Sequence, residues 1–208
     1  LLTRMPRLRL SAEQIRDQAL AVSNLLVHKI GGLPVFPRQP QDYWQQRALP
    51  GTWTNGIGED QFRRTIYTYW RRMALHPTLE ILNAPSRSVC VPIRELSNVP
   101  TQALALLNDP AFHNASTSLA RRIVHEINNN DEVRLDRAFL LVLSRLPQPE
   151  ERKRFLFYLG QQREYLIKDP NAVMALSTTS HTQDKVDVAV WSLACSVLLN
   201  LDETITRP

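Results

Sequence analysis

Cysteine is scarce in this sequence, and glycine is nearly as scarce. The 208 residues include two cysteines, Cys90 and Cys195, and six glycines. Two cysteines exclude a disulfide framework and a four-cysteine zinc site, and neither lies in the C-x-x-C-H motif of covalently attached haem. The glycines form neither a phosphate-binding loop nor a G-x-G-x-x-G fingerprint, so nucleotide binding has no support.

Long apolar runs are also absent. The longest uncharged stretch near the C-terminus, residues 188–201, is shorter than the roughly 20 apolar residues of a membrane-spanning helix. We therefore expect no membrane span. The first residues lack the basic segment, apolar core and cleavage site of a signal peptide, an observation that would be uninformative in a fragment.

Lysine is rare although the chain is basic. The formal net charge is +5, and 21 of the 25 basic residues are arginine. The arginines are spread along the chain, mostly within a turn or two of a carboxylate, and the planar guanidinium suits bidentate pairing with Asp and Glu. We therefore interpret most of them as structural partners of carboxylates and retain nucleic-acid binding as a minor hypothesis.

Helical periodicity dominates the sequence. Ser11 is a suitable N-cap for an amphipathic helix that the glycines at 31–32 would stop. The same spacing, together with proline and asparagine breaks, predicts helices over residues 59–73, 77–82, 100–107, 110–125, 131–145, 149–168 and 184–201, with the last one central and buried. No window alternates with period two, and a strand is expected only at residues 88–92, if anywhere.

The predicted fold is all-α, an irregular multi-helix bundle with long ordered loops rich in proline and aromatic residues. The asparagine run at 128–130 is the only plausible seam, but the flanking helices are too apolar to be separate. We therefore predict a single helical domain over residues 1–208.

The proline-rich loop at residues 31–58 carries the first candidate ligand surface. Its aromatic residues Tyr43, Trp44 and Trp53 lie beside amide side chains, a combination that suits stacking and hydrogen bonding to a sugar ring. The alternative, which we favour, is that these aromatic residues anchor the loop to the body of the protein.

Polar residues around the helix at 100–107 form a second candidate, consisting of Asn98, Gln102, Asn108 and Asp109. Helix capping and loop bracing are the favoured alternative for them. Arg87 and Cys90, in the loop before this helix, complete the candidate ligand surface. No histidine is adjacent to Cys90 in sequence, so a cysteine nucleophile is disfavoured.

No catalytic or metal-binding motif stands out. The five histidines have no i, i+3 or i+4 pair, so we predict no metal site; the alternative is a site built from distant residues such as His76 and Cys90. Adjacent carboxylates occur at helix ends, where the helix dipole already accounts for them. Catalytic residues are therefore unassigned.

Five segments carry a resemblance to a known family: residues 8–17 (LRLSAEQIRD), 31–37 (GGLPVFP), 84–87 (APSR), 101–110 (TQALALLNDP) and 196–203 (SVLLNLDE). In order and spacing they resemble the planctomycete-type domain of unknown function 1553. The chain looks like the C-terminal part of that domain. The chain departs from the family pattern at Pro92, Ile93, Glu95, Leu96, Val99 and Thr101, and Asn83 stands where an acidic residue is common.

The resemblance implies a compartment and neighbours, not a reaction. Such domains usually close a longer secreted or periplasmic protein that also holds a second domain of unknown function and often a cytochrome c domain, in bacteria that degrade complex polysaccharides. Haem is therefore expected only in a separate cytochrome c domain, and no cofactor is expected in this chain. The expected partners are the other domains of the full-length protein. An oxidising periplasm would permit pairing of Cys90 with Cys195, which the sequence leaves open.

Three hypotheses follow. The first is a non-catalytic helical interaction domain of an exported, cytochrome c-associated bacterial protein, linked to polysaccharide processing and with carbohydrate as a candidate ligand. The second is part of a polysaccharide-acting hydrolase or oxidoreductase whose site needs an upstream region. The third and weakest is electrostatic nucleic-acid binding.

Overall fold

The structure, a computed structural model, describes residues 7–40, 43, 52–72, 74–177 and 185–207. Of these, Arg207 is described by its backbone only. Within them lie nine α-helices: α1 (Ala12–Val22), α2 (Pro77–Ile81), α3 (Pro100–Asn108), α4 (Pro110–Glu126), α5 (Asp131–Leu143), α6 (Pro149–Lys168), α7 (Pro170–Leu176), α8 (Lys185–Leu199) and α9 (Asp202–Ile205). Two short strands, β1 (Leu8–Arg9) and β2 (Thr206–Arg207), pair antiparallel. The all-α prediction is confirmed.

The contacts between Cα atoms group the chain into two compact units. Unit 1 contains residues 1–21, 25–112 and 205–208, and unit 2 contains residues 22–24 and 113–204. The single-domain prediction stays a prediction. None of the helices in the described residues is both long and apolar enough to cross a membrane.

Unit 2 is built around helix α8, which contacts α5, α6 and α7. Its sequence is apolar on all sides, and Trp191 and Leu198 are fully buried, as are Phe139 on α5 and Leu119 on α4. A helix that is hydrophobic all round belongs inside a bundle. The prediction of a buried last helix is therefore confirmed.

Unit 1 combines short helices with long irregular segments. Its buried apolar residues include Ile15 and Leu20 on α1, Leu79 on α2 and Leu106 on α3. Buried polar groups are prominent beside them, among them Arg16 on α1. In this unit, hydrogen bonds from side chains to backbone carbonyls hold much of the irregular chain.

Helix α1 ends earlier than predicted, at Val22 rather than before the glycines at 31–32. Asn24 adopts a left-handed conformation with φ of 60°. The N–H groups of Leu25 and Leu26 both donate to the carbonyl of Leu20, at 2.9 and 3.0 Å. This capping by a left-handed asparagine ends the helix, since Asn tolerates positive φ better than most residues.

The predicted helix over residues 59–73 is wrong. The described chain there forms two short 3-10 helices, Gly58–Phe62 and Thr65–Tyr67, and Ile66 is 71% exposed. Residues 65–70 are all β-branched or aromatic, which disfavours a helix. In addition, the carbonyls of Gln61 and Arg63 accept hydrogen bonds from the buried Arg16 side chain.

The strand expected at residues 88–92 is also wrong, because that segment is irregular. The two short strands lie instead near the chain ends, where Leu8 pairs with Arg207 and Arg9 with Thr206. Strand pairing between segments so far apart in sequence leaves no local pattern, and two residues are too few to show alternation.

Candidate functional site

A groove of about 650 Å³ lies on unit 1 between the first turns of α1 and three irregular segments. Its lining combines apolar surface with several charged side chains and consists of Ser11, Glu13, Gln14, Asp17, Arg64, Ile66, Trp70, Pro85, Ser86, Arg87 and Arg94. A concave surface of mixed character with convergent charged groups is a reasonable candidate ligand site. We call it the α1 groove.

One wall of the α1 groove is the start of helix α1. The Ser11 N–H donates to Gln14 Oε1 at 2.9 Å, and the Gln14 N–H donates to Ser11 Oγ at 3.3 Å, a reciprocal cap that fixes the first turn. Glu13 and Asp17 then project from the same helix face, because residues four apart are neighbours on a helix.

Both carboxylates of this wall are held by arginines. Glu13 Oε2 accepts from Arg94 at 2.8 Å, and Asp17 Oδ2 accepts from Arg64 Nε at 3.4 Å. Burial raises the pKa of the Glu13 carboxyl, but the hydrogen bond from Arg94 and those within the helix turn outweigh it and hold this pKa below its ordinary value. Glu13 is therefore a firmly ionised acceptor.

The opposite wall carries Trp70 and Arg87. The Arg87 guanidinium carbon lies 5.4 Å from the centroid of the Trp70 rings, within cation–π distance. The Trp70 Nε1–H is buried and has no hydrogen-bond acceptor among the residues that the structure describes. Ser88 Oγ donates to the carbonyl of Arg72 at 3.0 Å and so ties the Arg87 segment to the Trp70 segment.

The buried side chain of Arg16 holds a backbone segment that lines the groove. Arg16 donates to the carbonyls of Gln61 and Arg63 and to Thr65 Oγ1, at 2.6, 3.1 and 3.1 Å. Asp17 Oδ1 in turn accepts from the N–H and the hydroxyl of Thr65, at 2.7 and 2.6 Å. These contacts fix the segment that presents Arg64 and Ile66 to the groove.

The charge of the α1 groove favours an anionic ligand. Three guanidiniums, those of Arg64, Arg87 and Arg94, face two carboxylates. Arg87 makes no ion pair within the part of the chain that the structure describes. Guanidiniums recognise carboxylate, sulfate and phosphate oxygens by paired hydrogen bonds, and Trp70 supplies an apolar face beside them.

The aromatic residues of the proline-rich loop make internal contacts. Trp53 Nε1 donates to the carbonyl of Pro37 at 3.1 Å, and its ring lies 5.1 Å from that of Phe36. Tyr43 donates from its hydroxyl to Glu80 Oε2 at 2.6 Å. Trp44 lies outside the described residues. Neither Tyr43 nor Trp53 lines the α1 groove, and their contacts match those expected of loop anchors.

The second predicted cluster is held in capping and bracing contacts. Gln102 is buried and accepts from Arg9 while donating to the carbonyl of Ile81, at 2.6 and 2.9 Å. Asp109 accepts from the Ala111 N–H at 2.7 Å at the start of α4, as well as from the hydroxyl of Thr78. In contrast to these two, Asn108 and Asn98 are exposed, and Asn108 bonds the carbonyl of Leu104 within its own helix.

Of the loop residues predicted before α3, Arg87 lines the α1 groove, while Cys90 is exposed and does not line it. Both cysteines are free thiols; Cys195 is fully buried, and burial raises the pKa of its thiol. A buried thiol with a raised pKa is inert as a nucleophile.

No group of three metal-ligating side chains occurs among the residues described.

Sequence reasoning missed most of the groove, including Glu13, Asp17, Arg64, Trp70 and Arg94. A signal was nevertheless present, because two of the five family-like segments, residues 8–17 and 84–87, contribute to its lining. These segments are about seventy residues apart in the chain, so only the fold shows that they meet.

The fold and the groove together define an all-α protein with a tryptophan-bearing groove in which three arginines face two carboxylates, a candidate ligand site. More specifically, the chain belongs to the PSD1 family, described as protein of unknown function (DUF1553), whose sequence profile matches residues 1–159. No curated protein and no solved structure matches the chain.

Proposed function

We propose that this chain is a non-catalytic helical interaction domain that binds an anionic carbohydrate in the α1 groove. It would act within an exported, cytochrome c-associated bacterial protein linked to polysaccharide processing. The observation that carries the proposal is the pairing of Trp70 with Arg87, which stands beside Arg64 and Arg94 in one groove.

The groove offers the contacts that a charged sugar needs. Sugar rings present C–H faces that pack on aromatic rings, and Trp70 provides such a ring in the groove lining. Ser11, Gln14 and Ser86 add neutral polar groups that suit sugar hydroxyls. The guanidiniums suit carboxylate or sulfate substituents.

The state of the carboxylates supports binding rather than catalysis. A general acid requires a carboxyl whose pKa is raised toward neutrality. In the α1 groove the pKa of Glu13 is lowered instead, and Asp17 is occupied by Arg64 and Thr65. Neither group therefore has the arrangement of a general acid.

The setting of the proposal depends on the family resemblance. Export to the periplasm, a planctomycete-type source and a cytochrome c domain elsewhere in the full-length protein are expectations of that resemblance, as is the role in polysaccharide processing. Cell fractionation combined with haem staining of the full-length protein tests them. Recovery in the cytoplasm without haem would remove this part of the proposal.

The binding proposal is tested by calorimetric titration of the chain with digalacturonate, a disulfated disaccharide and neutral maltose. We expect the two anionic probes to bind and maltose to bind at least tenfold more weakly. Arg87→Gln and Trp70→Ala should each weaken binding about five- to thirtyfold, as expected when one charged or stacking contact is lost.

Two matched variants complete this experiment. Arg154→Gln removes an equal charge from the exposed face of α6 and should leave binding unchanged. Trp53→Ala tests the proline-rich loop as the alternative ligand surface. Loss of binding in Trp53→Ala, with none in Trp70→Ala, would place the ligand on the loop and reject the α1 groove.

A further inference from the structure

The two ion pairs of the α1 groove differ in how firmly their carboxylates are held. Asp17 accepts two hydrogen bonds from Thr65 in addition to its contact with Arg64. Glu13 accepts hydrogen bonds within the first turn of α1, and its contact across the groove in the described structure is with Arg94. A ligand that takes the place of Glu13 on Arg94 therefore leaves the bonds within the helix turn intact, whereas displacing Asp17 would also break its bonds to the Thr65 segment.

The Glu13–Arg94 pair is also open to solvent. The Arg94 side chain is 47% exposed and that of Glu13 is 20% exposed, with 2.8 Å between the paired atoms. Exposed ion pairs contribute little net stability, because water and other ions compete for both partners. An incoming anionic group that is oriented by the rest of a ligand therefore competes effectively for Arg94.

Arg87 differs from Arg94 because it stacks on Trp70 and makes no ion pair in the described structure. A ligand with one anionic group finds its first partner in Arg87. A second anionic group on the same ligand meets Arg94, whose guanidinium is already paired with Glu13.

We propose that Glu13 occupies a second anion subsite of the α1 groove in the free protein, and that a saccharide with two anionic groups binds by replacing Glu13 on Arg94 while its first group pairs with Arg87. This inference rests on the proposed function and specifies the ligand class for the same groove. No covalent step is involved; one ion pair is exchanged for another. The effect of Glu13 is to weaken binding of the saccharide.

The test is a double-mutant cycle on Glu13 and Arg94, measured by calorimetry at one pH and one ionic strength. The probes are a disulfated disaccharide, a monosulfated disaccharide, digalacturonate and inorganic sulfate. Glu13→Gln should tighten binding of the disulfated disaccharide or of digalacturonate about three- to tenfold, because the internal competitor is gone. The gain should be smaller for the monosulfated disaccharide, which Arg87 already serves.

The second arm of the cycle separates ion-pair exchange from simple charge repulsion. If Glu13 acts by occupying Arg94, Glu13→Gln should bring no gain when Arg94→Gln is already present. An equal gain in both backgrounds would show that Glu13 acts only through its charge, and it would overturn the inference. Glu164→Gln, an equal charge change on the exposed face of α6, should leave affinity unchanged.

The remaining outcomes separate this inference from the proposed function. Wild-type binding that Arg87→Gln weakens but Glu13→Gln does not strengthen overturns the inference and leaves the proposed function standing. Absence of saccharide binding to both the wild type and Glu13→Gln overturns the proposed function itself. Sulfated and carboxylated probes identify the anion source, and binding of inorganic sulfate as tight as that of the disaccharides would reject a carbohydrate.

Discussion

Arginine in unit 1 holds irregular backbone in place. Arg63 donates to the carbonyls of Lys29 and Leu33, at 3.0 and 3.3 Å, and to that of Gly31, while its guanidinium lies 4.1 Å from the Tyr67 ring centroid. Buried carbonyls need donors, and a guanidinium with five N–H groups supplies several at once. One guanidinium therefore holds three carbonyls of this exposed segment in place.

Arg16 makes the same kind of contact more deeply, and its replacement should be costly. Arg16→Met keeps most of the apolar stem but leaves the carbonyls of Gln61 and Arg63 without their donor. We expect the free energy of unfolding to fall by about 3 kcal/mol, since each unsatisfied buried group costs about 1–3 kcal/mol. Urea unfolding measures this loss, and Arg154→Met on an exposed helix face should change stability by less than about 0.5 kcal/mol. Equal effects of the two variants would contradict the proposed role of Arg16.

His76 should make the stability depend on pH. Burial lowers the pKa of His76 from its ordinary 6.5 to about 4, and the neutral ring lies with Nε2 3.2 Å from the carbonyl of Arg38. Because that carbonyl only accepts, Nε2 carries the proton and donates it. Between pH 6.5 and 4 the unfolded chain binds more protons than the folded one, so stability falls as the pH is lowered through this window.

The predicted contribution of His76 is about 3 kcal/mol, present in full above pH 6.5 and lost as the pH approaches 4. Carboxylates with lowered pKa values, such as Glu13, add a loss of the same sign. Urea unfolding of wild type and His76→Gln at pH 7.5 and 4.5 isolates the histidine. The loss of stability on acidification should be smaller in the variant, and an unchanged loss would show that His76 is not the responsible group.

At the scale of helices, sequence periodicity predicts long apolar elements well and irregular chain poorly. Helices α3 to α6 and α8 begin and end within a few residues of their predicted bounds, and proline and asparagine mark most of their ends. The segment at 59–73 has apolar residues at helical spacing, yet its carbonyls bond to a distant arginine. Such a tertiary contact overrides local spacing and leaves no mark in the local sequence.

The α1 groove shows the same limit for function. Its walls come from a helix start and from loops far along the chain, so no local motif contains it. The sequence analysis did place Arg87 in the candidate ligand surface, and residues 8–17 and 84–87 are two of the segments that carry the family resemblance. It did not indicate Trp70, although this residue lines the groove.

Helix α6 contains a glycine that its surroundings do not require. A Cβ added to Gly160 would meet no atom within 4 Å, and its backbone is helical. Gly160→Ala should therefore raise the free energy of unfolding by about 0.5–1 kcal/mol, because alanine restricts the unfolded chain and favours the helix. Gly31 also has open space but a φ of +75°, so Gly31→Ala should destabilise. Thermal unfolding of both variants checks the opposite signs.

Helices α5, α6 and α8 are joined by a cluster of two arginines and two aspartates. Arg134 and Arg163 both pair with Asp187, at 3.0 and 2.9 Å, and Arg163 also pairs with Asp131 at 2.9 Å. Asp131 further accepts from Trp191 Nε1 at 3.1 Å. Shared acceptors of this kind connect three helices through a single polar network.

Asp187→Asn should destabilise unit 2 because the Arg134 side chain, only 3% exposed, would lose its nearest carboxylate. We expect a loss of about 2–3 kcal/mol in the free energy of unfolding, with little dependence on salt. Glu126→Gln breaks the more exposed pairs with Arg122 and Arg137 and should cost less than about 1 kcal/mol. A loss no larger than that of Glu126→Gln would show that the cluster adds little.

For the whole chain, the family match and the folded units end at different places. The profile ends at residue 159, inside helix α6, which continues to Lys168. Unit 2 continues to residue 204, and unit 1 is completed only by residues 205–208. The residues beyond the match are therefore part of both units.

A chain shortened to residues 1–159 should consequently fail to form unit 2. It lacks α8, whose buried residues include Trp191 and Cys195, and exposing that much apolar surface costs several kcal/mol by the usual value of about 25 cal/mol per Å². Circular dichroism should show reduced helix, and a hydrophobic dye should bind. A chain of residues 1–204 keeps unit 2 whole and loses only β2 and the buried Ile205 from unit 1, so it should retain the near-ultraviolet signal of Trp191. Cooperative unfolding of the 1–159 chain would show that the family segment folds alone and that α8 is an addition to it.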